Sequence, residues 1–514
     1  MIALKKTKPG NSEQGFALII ALLTLLLISA ALMGMFIMSN AETNVSANFR
    51  DEQTAYFASK AGIEEVRDRM RGGTTNSLNG NLPTAALPGQ ANGILYVTNP
   101  AAGETVTPWV TTGTNYPDDE ICKELPPCGT TLAAGTSTSQ SASTSYAAAP
   151  ILTWKWVRVM AKANKSDTGA TRVTSVDGTI SGNRVCWNGS NEFTTTAASC
   201  FAFNPTANFQ PVYELTALAV TPSGSRRMRQ YEATKITLPG IPGAFVFDGQ
   251  FPQFNPPSSA VFAVSGTDAA QGPNAGAGCP ASPGVNNVPA LGAYDPPAAT
   301  TLVGVMAGPP DRSGQYTSSA PYAATPAVAP VYSSLSSGSI NLTTVGGLTN
   351  LVNLVTTAAG GNVYGASPLP SPSAMNMGTN TAPVINVVNG DLTLTGSGAG
   401  ILLVTGQLTL NGNFNYNGLI LAIGEGAITK SGGGGGTVNG AMFAANLFSD
   451  PVTGAPGAYP AYTTLISPPS HAPGVPYFGW SGGGNATIQY DSCWINAINQ
   501  GLPFKLVAQR ELIY

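Results

Sequence analysis

Residues 15–38 read GFALIIALLTLLLISAALMGMFIM, and from Phe16 to Met38 the run carries no charged side chain. At 1.5 Å per residue an α-helix of that length covers roughly 34 Å, enough to cross the hydrocarbon core of a bilayer. Lys5, Lys6 and Lys8 precede the run. That excess of cations predicts a cytoplasmic N-terminus, with everything after Met38 on the far side of the membrane. A cleaved signal peptide competes with this reading, because Ser39-Asn40-Ala41 has the small-x-small pattern that signal peptidase accepts. The apolar region of a signal peptide is, however, about 7–15 residues, shorter than this one.

The segment that follows does not look like a new N-terminus. From Ala41 to Arg71 there is no proline and one glycine, Gly62, while Phe49, Tyr56, Ile63 and Met70 recur every seven residues with Val45 and Val66 alongside. That spacing draws one apolar stripe along a helix and leaves Arg50, Asp51, Glu64, Arg67 and Asp68 for its other faces. Arg71-Gly72-Gly73 supplies a cationic last turn and a glycine stop. Span and amphipathic segment join without a breaker, so one helix is expected over 16–71, on the order of 80 Å long.

Gly15-Phe16-Ala17-Leu18-Ile19, behind a short basic leader and opening a long apolar helix, resembles the prepilin processing site of type IV pilins and pseudopilins. The continuation, with Asn48-Phe49-Arg50-Asp51 and then 55–64 (AYFASKAGIE), is similar to the N-terminal region of PilX-like minor pilins. The resemblance covers residues 15–71. It implies cleavage after Gly15 by a prepilin peptidase, N-methylation of Phe16, and packing of the helix, through residues such as Leu18, Ile20 and Leu23, against other pilin or pseudopilin subunits. Major pilins usually carry a glutamate at the fifth mature position, which here is Ile20. A carboxylate in the membrane is costly, and in those pilins it is held to pair with a neighbour's amino terminus. Ile20 cannot do so, which points to a minor subunit, at a tip or in assembly, and away from the main shaft.

Beyond Gly73 the composition shifts to Thr, Ser, Asn, Ala, Gly and Pro and helical periodicity disappears. The alternation in 153–159 (TWKWVRV) predicts a strand, and 213–221 with 226–237 flank Pro222-Ser223-Gly224-Ser225 as a hairpin. Residues 125–150 read as a surface loop. A glycine-punctuated repeat then appears at 400–406 (GILLVTG), 418–424 (GLILAIG) and 440–446 (GAMFAAN), interleaved with 390–396, 406–412 and 426–432, and 243–249 (GAFVFDG) fits the same template far upstream. Two alternating strand types suggest the stacked coils of a β-solenoid, with an antiparallel meander as the alternative. Residues 481–491 could add a coil, closed by a strand at 504–508.

The expected class is therefore α+β: a leader at 1–15, a transmembrane and amphipathic helix at 16–71, a pilin-like β-rich head at 72–242, and a C-terminal, mostly-β solenoid-like domain from 243–266 and 381–514. Residues 267–380, rich in Pro, Gly, Ala and Ser with a helix near 348–357, are expected to be an insertion.

Charged residues make up 10% of the 514 positions and the formal net charge is −3. Residues 1–71 hold 8 Lys/Arg and 7 Asp/Glu, leaving few cations to cluster elsewhere. A nucleic-acid partner is not expected, because phosphate binding needs such clusters. Cys122 with Cys128 and Cys186 with Cys200 are spaced to close short disulfide loops in an oxidising compartment, with buried free thiols as the alternative. One histidine, His471, and no C-x-x-C leave no zinc motif and no triad. Gly424 to Ser431 lacks the glycine before Lys430 that a phosphate loop needs. Asp118-Asp119-Glu120 reads as a solvated acidic turn, with a calcium-ligating loop as the lesser reading. Between 384 and 446 only Asp391, Glu425 and Lys430 are charged, too sparse for glycoside cleavage. Tyr477, Phe478 and Trp480 are read as core, with a ligand-stacking surface as the alternative.

These observations lead to a non-enzymatic chain without cofactor or metal. It is expected to be an inner-membrane, single-pass minor pilin-like subunit, cytoplasmic at its N-terminus and periplasmic in its head, later displayed on a pilus or the cell surface. Two further readings are a pseudopilin of a type II-like secretion system and a membrane-anchored adhesin whose β-solenoid contacts a surface ligand.

Overall fold

The computed structural model describes residues 12–71, 76–83, 93–101, 103–110, 116–124, 136–140, 153–166, 173–174, 183–187, 191–195, 210–236, 238–259, 261–271, 283–336, 340–365, 375–448 and 464–512. Its first element, α1 (Ser12–Arg69), is one unbroken helix. The few polar side chains in its apolar half are absorbed locally: Thr24 Oγ1 donates to the Ile20 carbonyl at 2.9 Å and Ser29 Oγ to Leu25 at 2.8 Å, which removes their demand for water. The helix ends in a cationic turn, and the Leu78 amide donates to the Arg69 carbonyl at 2.6 Å. The expected Gly72-Gly73 stop lies outside the described residues.

A first sheet follows, built from β1 (Ile94–Thr98), β2 (Thr136–Gln140), β3 (Trp154–Ala161), β4 (Ala163–Ser166), β5 (Val173–Thr174), β6 (Asn183–Trp187), β7 (Glu192–Thr195), β8 (Gln210–Val220) and β9 (Arg226–Lys235), with a short helix α2 (Asp119–Glu124) between β1 and β2. The hairpin β8–β9 is antiparallel from Val212↔Thr234 to Val220↔Arg226, and Gly224, at φ 91°, makes its turn. β2 runs parallel to β1 inside the stretch read as a loop. Its sequence TSTSQ has no apolar alternation to reveal it, and the β-branched threonines are its only strand signal.

The second sheet takes β10 (Phe245–Asp248), β11 (Gln253–Asn255), β12 (Phe262–Ser265), β13 (Leu291–Ala293), β14 (Tyr316–Thr317), β15 (Val328–Pro330), β16 (Val363–Tyr364), β17 (Val384–Val388), β18 (Leu392–Val404), β19 (Leu408–Gly424), β20 (Ala427–Ser431), β21 (Gly435–Asn446), β22 (Tyr477–Trp480) and β23 (Asn485–Tyr490). Helices α3 (Pro296–Ala307), α4 (Tyr332–Ser336), α5 (Val345–Ala359) and α6 (Ser492–Gly501) accompany it. Its ladders are parallel, which excludes the antiparallel meander. The strands curl into a half-barrel sheet, and the stacked coils of the expected solenoid are not shown.

Glycines set the register. Gly400, Gly418 and Gly440 stand side by side on neighbouring strands at φ 130°, 131° and 142°. A Cβ on any of them would collide with the carbonyl oxygen of the residue stacked beside it, Val384, Gly400 and Gly418 respectively. Only glycine satisfies both the backbone angle and the close approach. One position before, Asn417 Nδ2 donates to Asn380 Oδ1 at 2.9 Å and Asn439 Nδ2 to Asn417 Oδ1 at 2.8 Å.

The upstream template joins this stack: β10 pairs parallel with β21, Phe245 opposite Met442 and Phe247 opposite Ala444. Phe245, Phe247, Leu402, Val404, Leu419 and Leu421 share one buried core. Residues 290–360, expected to lie outside the stack, supply β13 to β15 and send Leu291, Leu302, Tyr316, Leu348 and Val355 into that same core. The strand expected to close the coils, β24 (Phe504–Leu512), instead returns to the first sheet and pairs antiparallel with β9, from Phe504↔Lys235 to Leu512↔Met228. The second sheet and its helices therefore form one long insertion between two adjacent strands of the first.

Candidate functional site: the bare helix and its seat

Along α1 two environments succeed each other. Residues 16–54 are exposed except for half-buried Ala47 and Asp51. Phe16 is 68% and Leu26 70% accessible. Among the described residues this is the one helix long and apolar enough to cross a membrane, with a mean hydropathy of 2.8 in its most apolar window. Leu18, Ile20 and Leu23 lie on this bare stretch, and Gly15 precedes it within the helix. Leu18, Ile20 and Leu23 are not buried against the head.

From Ala55 onward the same helix is seated. Ala55, Ala58, Ser59, Gly62, Ile63, Val66 and Met70 are buried at helical spacing, against Trp154, Val157, Val159, Leu215, Ala217 and Tyr231 of the sheet. Small residues permit the close approach. The rim is polar: the Arg229 guanidinium lies 4.1 Å from the Tyr56 ring centroid, Arg67 Nε bonds Glu64 at 2.8 Å, and Arg67 Nη1 donates to the Phe504 carbonyl at 2.6 Å. The last bond ties the N-terminal helix to the C-terminal strand.

The opposite face of the first sheet carries buried charge. Arg158 Nη1 reaches Asp118 at 2.6 Å and Nη2 reaches Glu120 at 2.5 Å and Thr216 Oγ1 at 3.2 Å, while Tyr96 donates its hydroxyl to Asp118 at 2.8 Å. Asp118 is fully buried. Asp118 and Glu120 are therefore counter-ions to Arg158, not the solvated turn or cation loop the sequence suggested. The signal was present in Arg158 itself, a cation in the middle of an apolar strand, which must carry its own partner. Lys162 makes a second cluster with Glu192 at 2.8 Å and Glu232 at 2.7 Å. Burial, and then the neighbouring Glu232 charge, push the Glu214 carboxyl above its ordinary range.

In the second unit Asp248 at the end of β10 is fully buried, and neither carboxylate oxygen has a hydrogen-bond partner. Burial holds this carboxyl well above the usual carboxylate range. Lys430 is also buried, donating to the carbonyls of Ser431 and Gly432 at 3.1 and 3.3 Å, with its ammonium 5.6 Å from the Trp480 ring. The ammonium is thus held by backbone carbonyls at the end of its own strand. Exposed His471 keeps Nδ1 2.7 Å from the Ala472 carbonyl oxygen. Among the described residues no three His, Cys, Asp or Glu side chains group to hold a metal ion.

Cys186 and Cys493 are each disulfide-bonded. The side chains of Cys122, Cys128 and Cys200, and with them both expected pairings, lie outside the described residues. No family model, curated protein or solved structure matches the chain.

Proposed function

We propose that this chain is a membrane-anchored, pilin-like minor subunit. The observation that carries the reading is the single helix that is bare and apolar over 16–54 and then, without a break, is seated by small residues on an antiparallel sheet. A bare apolar rod fixed to a soluble head has two uses, membrane storage and packing among like helices, and a pilin needs both. In this reading a prepilin peptidase cuts after Gly15, Phe16 becomes the N-methylated mature terminus, and Leu18, Ile20 and Leu23 pack against other pilin subunits. Ile20 in place of glutamate assigns a minor role. The head stands in the periplasm and then on the pilus or cell surface. The disulfide-bonded Cys186 and Cys493 support an oxidising location for it.

The parallel ladders and stacked glycines support reading the second unit as a β-solenoid carried by the head. Such a large insertion favours a displayed, tip-like position over a shaft position, where neighbouring heads would crowd it. Mass spectrometry of the mature chain tests the proposal: a methylated Phe16 start is expected, and a start at Glu42 or an intact Met1 overturns it.

A further inference from the structure

The outward side of the ladder formed by β19, β20, β22 and β11 has a composition unlike the rest of the second unit. Side chains alternate along these strands, so Leu408, Ile428, Phe478 and Phe254 enter the core and their neighbours point out. On that outward side Thr409 Oγ1 meets Thr429 Oγ1 at 3.1 Å and Gln407 Nε2 donates to Thr429 at 3.2 Å. On the next strands Tyr477 stands opposite Gln253, and Gly479 opposite Asn255.

Gly479 has a specific effect. A Cβ there would fall 2.5, 2.8 and 2.9 Å from Oη, Cε1 and Cζ of Tyr477. The tyrosine therefore lies along its strand in the space that a side chain at 479 would fill. It is half-buried while Phe478 beside it is core and Trp480 turns inward to Phe262, donating Nε1 to the Gly482 carbonyl at 2.7 Å. By the alternation of this strand Tyr477 is its outward aromatic, while Trp480, also half-buried, lies on the same side as Phe478.

We infer that this face is a binding surface for a neutral polysaccharide chain. Rows of hydroxyl and amide groups repeat at the strand spacing of about 4.7–4.9 Å, a scale suited to a polymer whose hydroxyls also recur along its length. An aromatic ring held along the surface offers a platform for the apolar face of a sugar ring, and its hydroxyl supplies a polar handle. Charge selects the class of glycan. The outward positions of these strands carry no charged side chain; Asp391, just before β18, accepts at Oδ1 from the Gln407 backbone N–H at 2.8 Å. Arg312, beyond Asn255, is spent on the carbonyls of Pro256 and Pro257. A face without cations has nothing to pair with sulfate, uronate or phosphate, and one without an apolar cluster lacks the anchors of a protein interface. The inference is independent of how the N-terminus is processed.

The test is native affinity electrophoresis of the full chain in neutral detergent, through gels containing dextran, amylose, β-1,3-glucan or galactomannan, with heparin as the anionic comparison. At least one neutral polymer should retard the protein. Tyr477→Ala should weaken that retardation about tenfold, and Tyr477→Phe should largely keep it. A double variant, Gln253→Ala with Asn255→Ala, gives a second reading that spares the aromatic and should also weaken binding. Thermal melting of each variant separates loss of the face from loss of the fold. Retardation by no neutral polymer, retardation by heparin alone, or unchanged binding in folded Tyr477→Ala would each overturn the inference.

Discussion

Gly62 of the long helix faces the indole of Trp154 so closely that a β-carbon on the glycine would fall 2.9 Å from two ring atoms. The glycine that interrupts an otherwise helix-favouring segment is thus the point where helix and sheet meet. Gly62→Leu should push α1 off the first sheet and cost about 1–3 kcal/mol, as overpacking does. Limited proteolysis should show new cleavage after residue 54 while the second unit stays resistant. Unchanged cleavage would mean that the helix is seated by other contacts.

In the second unit, Leu421→Ala should cost about 2–5 kcal/mol. Leu348→Ala should fall in the same range, because α5 contributes to the same core. Gly418→Ala removes no apolar surface, yet it places a methyl against the Gly400 carbonyl at a φ that favours glycine, and it should destabilise by about 1 kcal/mol or more. Denaturant melts of the three variants check the order; a neutral Gly418→Ala would show that the stacked glycines are not required.

Arg158→Met should lower the stability of the head by about 3–5 kcal/mol, since it strands a fully buried Asp118 without its counter-ion. Adding Asp118→Asn should restore part of that loss. A double-mutant cycle measures the recovery, and strict additivity would show that the pair is not coupled.

The Asp248 carboxyl makes the second unit sensitive to pH in a defined direction. Its folded-state pKa is raised, so the folded chain holds a proton that the unfolded chain releases above about pH 4. Stability should fall as pH rises from there toward the raised folded value. Asp248→Asn should flatten that slope and make the unit more stable than the parent at neutral pH. Melts between acidic and neutral pH decide it, and a slope unchanged by the substitution would locate the dependence elsewhere.

How much of this could be read from residues alone differs along the chain. The helix over 16–71 was legible because span, stripe and absence of breakers are local properties, and the observed bounds, Ser12–Arg69, differ by only a few residues. The β8–β9 hairpin was legible for the same reason, through its turn. The apolar tetrads between glycines were visible as strands, and their shared template put 243–249 in the same unit, but which strand it pairs with, Phe245 opposite Met442, was not visible. The strands of 290–330 are only two or three residues long, and β2 is wholly polar. None of them has enough period to detect. The buried Arg158 cluster was missed because its two acids lie at the start of the short helix α2, in a stretch whose composition suggests solvent.

The return of the C-terminal strand also determines how force travels through the molecule. The second unit hangs from the head by two legs, β9 and β24, side by side at Lys235 and Phe504. Only the β9 leg continues covalently, through β8 and the rest of the sheet, to the helix that anchors the chain. The β24 leg is held by its ladder and by Arg67. Tension applied to the second unit can therefore peel β24 away, bond by bond, while the unit remains tethered. The head would yield by a few strand pairs, beginning at Phe504 and its bond to Arg67 of the helix, a mechanical fuse placed between whatever the second unit holds and the rod beneath it.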